Sequence, residues 1–144
     1  MNILIVNGPN LNFLGKREVS VYGNKTYDDL IKYLLAYGTK KNHQIEIYQS
    51  NHEGSIIDFL QEKYSFFDAI IINPGAFTHY SYAIYDCLLS LRKRIVEVHL
   101  SNIYEREEFR KISVIKPACE AQFYGKGFES YIEAIDYLSK EDQL

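Results

Sequence analysis

Residues 3–23 read ILIVNGPNLNFLGKREVSVYG, and the way this stretch changes character decides the fold. Its first four residues, Ile3-Leu4-Ile5-Val6, are a short apolar run with a branched majority, which reads as a strand covered on both faces. From Asn7 to Gly23 the chain then carries Gly8, Pro9, Gly15 and Gly23 among three asparagines, a Lys-Arg pair and Tyr22. That is turn chemistry, with no helical or strand period. About fifteen such residues make a long connection for a compact domain, and long connections are either functional or disordered. Leu11, Phe13, Leu14, Val19 and Val21 argue against disorder. The segment therefore reads as an active-site loop, with a movable part, leaving the end of a strand.

The rest of the chain agrees with that opening. Its 144 residues suffice for one domain, 1–144, with a real core. A hydrophobic share of 47% beside 24% charged residues is globular, and a net charge of -3 gives no reason to expect nucleic acid. No apolar run approaches the roughly 20 residues of a membrane helix. The start, MNILIVNG, lacks the basic flank of a signal peptide and reads as the first strand. Cys87 and Cys119 stand far apart with no metal spacing, as expected of buried thiols in a reducing cytoplasm.

Four more apolar runs follow, at Ile45–Tyr48, Ala69–Ile72, Ile95–Leu100 and about Cys119–Tyr124. Helical stripes separate them. Thr26 and Asp29 resemble a capping box ahead of Leu30, Ile31, Leu34 and Leu35. Ile56, Ile57 and Leu60 make a second stripe. Thr78 with Ser81 opens a third, through Ala83, Ile84, Cys87, Leu88 and Leu91, and Phe128, Tyr131, Ile132, Ile135 and Leu138 make the last. Tyr104–Lys111 reads as a short charged helix or turn. Alternating strands and helices predict an α/β fold: a flavodoxin-like, doubly wound, five-stranded parallel sheet in a three-layer αβα sandwich.

In such a fold ligands sit beyond the carboxyl ends of the strands. Polar residues gather there four times: in the Asn-rich loop, in Gln49–Gly54, in Asn73–His79 and in Glu97–Asn102. Arg17 and Tyr22 are five apart. A guanidinium about 4 Å from a phenol favours phenolate by roughly 4 kcal/mol at an effective dielectric near 20, before desolvation takes some back. That would make Tyr22 a base, although spacing alone fits a packing tyrosine and a solvated arginine better. Glu97 and His99 share one strand face, where a carboxylate can fix an imidazole tautomer. His79 and Asp86, seven apart, would share one helix face. Asn73 ends a strand, where its amide can bind a carboxylate or hydroxyl. Arg106 and Arg110 are four apart on the charged turn, the spacing of solvated charges as much as of a site, and His52 with Glu53 reads as a helix start. No HExxH, GxSxG, GxGxxG or Walker pattern occurs.

Five motifs in order, NGPNLNFLG with KRE and YG, QSNHEG, NPGAFTHYS, EVHLSN and REEFR, closely resemble type II 3-dehydroquinate dehydratase from Asn7 to about Tyr137. The resemblance implies dehydration of 3-dehydroquinate to 3-dehydroshikimate in the shikimate pathway of aromatic amino acid biosynthesis. It implies no metal, no Schiff-base lysine and no other cofactor. It further implies a cytoplasmic homododecamer, a tetramer of trimers. By the same likeness Tyr22 would be the general base, Arg17 its partner, His99 the general acid oriented by Glu97, and Asn10 the holder of a water at the enolate oxygen. Asn73, Gly75, Ala76, His79, Leu100, Ser101 and Arg110 would bind substrate, and Asp86 would reach a neighbouring subunit's site. One departure is Val19, where the family often has proline; the freed φ angle predicts a looser lid without loss of activity. A non-catalytic flavodoxin-like module binding a carboxylated cyclitol is the alternative.

Overall fold

A computed structural model describes residues 1–16 and 19–142, the side chains of Val21, Tyr22, Glu141 and Asp142 excepted. The strands are β1 (Asn2–Asn7), β2 (Gln44–Gln49), β3 (Ala69–Asn73), β4 (Arg94–His99) and β5 (Ala121–Tyr124). The helices are α1 (Val19–Tyr22), α2 (Tyr27–Lys40), α3 (Glu53–Lys63), α4 (Tyr82–Leu91) and α5 (Glu129–Asp142). All strand pairs are parallel, in the order β2-β1-β3-β4-β5. This is the flavodoxin-like doubly wound sheet, with the chain reversing its winding direction between β1 and β3.

Apolar runs become strands here because both faces of the sheet are covered. Ile3 and Ile5 of β1 pack with Ile71, Val96 and Val98 against Leu30 and Leu34 of α2 and Tyr131, Ile135 and Leu138 of α5. Leu4 and Val6 face the other way, onto Ile56 and Leu60 of α3 and Ile84, Cys87 and Leu88 of α4. β1, β3 and β4 are therefore buried on consecutive residues, whereas the edge strand β2 alternates exposure along Gln44–Ile47. The predicted capping box at Thr26 is present: its hydroxyl accepts the Asp29 N–H at 3.1 Å and the Asp29 carboxylate accepts the Thr26 N–H at 2.9 Å.

The chain departs from the expected pattern in several places. Leu35 is 42% exposed; the buried stripe of α2 runs Leu30, Leu34, Gly38, because a side chain at Gly38 would collide with Ile45 of β2. β5 begins at Ala121 rather than Cys119, since Pro117 opens a 3₁₀ turn at Lys116–Ala118. Val19–Tyr22 is helical, one turn being too short to display a period; Gly23 closes it at φ 81°. Thr78 does not open α4. It lies in a 3₁₀ turn, Gly75–His79, and Ser81 is the N-cap, accepting the Ile84 N–H at 3.1 Å. His79 and Asp86 consequently do not share a helix: the chain turns at Tyr80 between them. Tyr104–Lys111 resolves into two 3₁₀ turns, Ile103–Glu105 and Glu108–Lys111.

Candidate active site

A cleft of about 110 Å³ opens at the carboxyl edge where the winding reverses. β1 contributes Pro9, Asn10, Leu11 and Leu14 through its loop, and β3 contributes Asn73 with Gly75, Ala76 and His79 from the following turn. β4 ends in it at His99, Leu100 and Ser101, and the turns beyond add Ile103, Arg106 and Arg110. Leu11, Leu14, Leu100 and Ile103 are buried and give it an apolar floor. Among the described residues, its ionisable lining is two arginines and two histidines, with no carboxylate. A small polar anion is what such a lining attracts.

Gly8 brings the two halves together: its N–H donates to the Asn73 carbonyl at 2.7 Å. Asn10 follows in the left-handed region at φ 72°, which asparagine tolerates. Its N–H donates to the Asn51 side chain at 2.9 Å, and Gln49 donates to both Asn51 and the Gly8 carbonyl at 3.1 Å. The polar loop after β2 thus braces the first loop instead of lining the cleft. Asn73 is held from both ends of its amide. Oδ1 accepts the Gly75 N–H at 3.2 Å, and Nδ2 donates to the Tyr131 hydroxyl at 2.9 Å. Tyr131, wholly buried on α5, donates in turn to Asn7 at 2.6 Å, and burial pushes its phenol far above the ordinary range. One Nδ2 proton of Asn73 remains for a ligand.

Glu97 is fully buried and His99 nearly so, with 2.5 Å between Glu97 Oε2 and His99 Nε2. A buried carboxylate needs donors, and Glu97 has two more: Ser113 Oγ at 2.9 Å from both oxygens and Gln122 Nε2 at 3.0 Å. With the carboxylate ionised, His99 Nε2–H is the donor and Nδ1 is the remaining ring nitrogen, at the end of β4 beside the cleft. The expected Glu97–His99 pairing is present.

His79 is fixed through Nδ1–H to the Ile112 carbonyl at 2.7 Å. Desolvation lowers its pKa more than that bond raises it, with His99 and Arg110 adding like-charge repulsion. A histidine depressed in the folded state stabilises the fold above its unfolded pKa of about 6.5 and gives that stability up as pH falls through the folded value. Between pH 7.5 and 5, the melting temperature of the wild-type protein is expected to fall further than that of His79→Gln; parallel curves in thermal scans would contradict this.

Arg110 donates through Nε to Glu107 at 2.7 Å, an exposed pair that holds the Glu107 carboxyl below its usual range and leaves both Arg110 Nη groups as donors. Asp86 lies exposed on α4 and does not line the cleft. Arg17 and the Tyr22 side chain lie outside the described residues. Cys87 is buried, Cys119 half-buried, and both are free. Among the described residues no three of His, Cys, Asp and Glu gather as a metal site, and no helix is long and apolar enough to cross a membrane. Sequence reasoning missed Ser113, Gln122 and Tyr131. Ser113 and Gln122 carry no local signal: Gln122 stands opposite Glu97 only once β4 and β5 pair in register. Tyr131 was legible only as part of an apolar stripe.

The family model for class II dehydroquinases matches residues 1–139. The chain belongs to that family. It is 53% identical to a 3-dehydroquinate dehydratase of Clostridium acetobutylicum over 138 residues, 96% of each chain. It is 50% identical to one of Thermotoga maritima, covering 98% of this chain and 96% of the relative. Among solved class II structures, the type II dehydroquinase of Butyrivibrio crossotus superimposes with a TM-score of 0.94 at 55% identity, covering 96% of this chain and 97% of the other. That of Propionibacterium acnes gives 0.92 at 37% identity and 96% coverage of both. Membership in the class II family and the flavodoxin-like sheet agree with the motifs read from the sequence.

Proposed function

We propose that this chain dehydrates 3-dehydroquinate to 3-dehydroshikimate, as a hydro-lyase of the shikimate pathway working by anti elimination through an enolate. The observation that carries this reading is the buried Glu97–His99 pair at the end of β4, opening into a cleft lined by cations. It pairs an imidazole held by a buried carboxylate with a lining suited to a carboxylated ring.

In this reading the Tyr22 phenolate, kept ionised by Arg17, takes the proton α to the ketone. The C–H electron pair becomes an enolate, whose oxygen is stabilised by Asn10 and a water it holds. An ordinary ketone α-proton is a poor acid, so both a strong base and oxyanion stabilisation are needed. The enolate then re-forms the ketone, its carbon–carbon π pair shifting to make the C1–C2 double bond as the C–O bond to the C1 hydroxyl breaks. The imidazolium form of His99, its Nε2–H held by Glu97, gives its Nδ1 proton to that hydroxyl, which leaves as water and returns His99 to the neutral ring. Leu100 and Ser101 hold the substrate carboxylate with backbone N–H groups, and Asn73, Gly75, Ala76, His79 and Arg110 hold the ring and its hydroxyls. Asp86 serves a neighbouring subunit's cleft within a cytoplasmic homododecamer of trimers, each chain forming one catalytic domain, 1–144. The chemistry these residues supply calls for no cofactor.

The test is the ultraviolet absorbance of the conjugated enone when 3-dehydroquinate meets the purified protein. A rise that survives chelator and borohydride is expected. A flat trace from folded, assembled protein would overturn the reading in favour of a carboxylated-cyclitol binding module.

A further inference from the structure

The carboxylate that orients His99 is itself oriented from outside the cleft. Each of its two other donors is held in its donating pose by a further bond. Ser113 Oγ accepts the Lys116 N–H at 3.2 Å, which leaves its hydroxyl proton for Glu97. Gln122 sits on the edge strand β5, in register with Glu97, and its Oε1 accepts the Tyr104 hydroxyl at 2.7 Å. Tyr104 lies on the Ile103–Glu105 turn, between the cleft residues Ile103 and Arg106, and its ring packs edge-on against Tyr124 at 5.0 Å.

The two ends of a primary amide are not equivalent. With the Tyr104 hydroxyl donating to Oε1, Gln122 must turn Nε2 toward Glu97, as the 3.0 Å contact records. Turned over, the amide would set a carbonyl oxygen against a buried carboxylate, two acceptors with no proton between them. Glu97, an acceptor only, sets which end of the Gln122 amide it meets, and the Tyr104 hydroxyl holds that pose by donating to Oε1. Gln122 in turn supplies a donor to a buried carboxylate oxygen that would otherwise lack one, and so fixes the Glu97 side chain in place. Held by Glu97 through Nε2–H, His99 keeps Nδ1 as the one ring nitrogen that gives its proton to the cleft and takes it back.

We propose that Tyr104 and Gln122 are positioning residues for the dehydration, acting in series through Glu97 to hold His99 in one tautomer. The proposal rests on the assignment of His99 as the acid. It predicts a particular pattern of coupling. Tyr104→Phe keeps the ring and its packing and removes only the oxygen; Gln122→Met keeps the length and removes the amide. Tyr104→Phe is expected to lower kcat several-fold and Gln122→Met about tenfold, each with KM within about twofold of wild type, since neither residue lines the cleft. Because Tyr104 acts only through Gln122, the double variant should match Gln122→Met alone.

The accompanying readout does not depend on turnover. The ¹⁵N shifts of the His99 ring, in the folded protein without ligand, are expected to report a single Nε2–H tautomer in wild type. In Gln122→Met they should report a mixture of tautomers. Wild type that fails to turn over 3-dehydroquinate yet shows this tautomer change would sink the functional reading and leave the orienting series intact. An unchanged His99 tautomer in both variants would overturn the series whatever the activity. Multiplicative losses in the double variant, or losses confined to KM, would overturn it as well.

Discussion

Replacing His99 by Gln is expected to lower kcat for dehydration by roughly 10²- to 10⁴-fold, the range of a lost general acid. Hydroxide is a poor leaving group, so without a proton at Nδ1 the enolate reverts faster than it expels the C1 hydroxyl. Binding should survive, because the carboxylate and ring contacts proposed for Leu100, Ser101, Asn73 and Arg110 are untouched. Glutamine is the useful replacement. It can still donate to Glu97, so the buried carboxylate is not orphaned, and a loss of folding is not mistaken for a loss of chemistry. Tyr22→Phe is expected to be at least as damaging, by removal of the base. Steady-state kinetics beside calorimetric titration of a substrate analogue would separate the two effects. A His99→Gln protein with kcat within about tenfold of wild type would mean that another group supplies the proton.

The second large effect is structural. A Cβ on Gly8 would stand 2.3 Å from the Pro74 carbonyl oxygen and 2.5 Å from its carbon. Both atoms are backbone, so no side-chain end can swing away. The Gly8 N–H bond to Asn73 holds the two segments at that separation. Gly8→Ala must therefore part β1 from β3 where they open into the cleft. We expect a loss of about 3 kcal/mol and a fall in melting temperature of about 10 °C, with a raised KM in whatever remains folded. Gly54→Ala is the control: nothing lies within 4 Å of its Cβ, and alanine is the better helix former inside α3. Equal melting temperatures for the two variants would show that the loops yield more easily than close-packed backbone should.

The sheet was legible because β1, β3 and β4 are covered on both faces and so carry apolar runs, unbroken in β1 and β3 and interrupted in β4 only by the buried Glu97. The site was legible wherever a polar residue follows such a run directly, as Asn73 follows Ile72 and His99 follows Val98. What sequence could not provide was geometry across elements. His79 and Asp86 have helical spacing, yet the 3₁₀ turn before Ser81 breaks the helix that would align them. Leu35 looked like core because it follows Ile31 at helical spacing. That spacing cannot reveal that Gly38, lacking a side chain, lets β2 approach the other side of the stripe. Gln122 and Ser113 became visible only when strand pairing and a loop crossing brought them to Glu97. The charges of Arg106 and Arg110 resembled solvated ones until the cleft was seen to contain both.

The Asn7–Tyr131–Asn73 chain of hydrogen bonds sets a condition on when the cleft is complete. Tyr131 is 124 residues from Asn7 and 58 from Asn73, and it belongs to the last helix. During synthesis, β1 and β3 emerge long before α5 and can pair, but their terminal amides then face one another with no hydroxyl between them. Only when α5 docks is Asn73 pinned with one proton toward the cleft. A chain stalled short of that helix would carry all five strands and the cleft's lining residues but would leave the Asn73 amide without its Tyr131 partner, so the last helix to be made sets the pose of a side chain in the cleft.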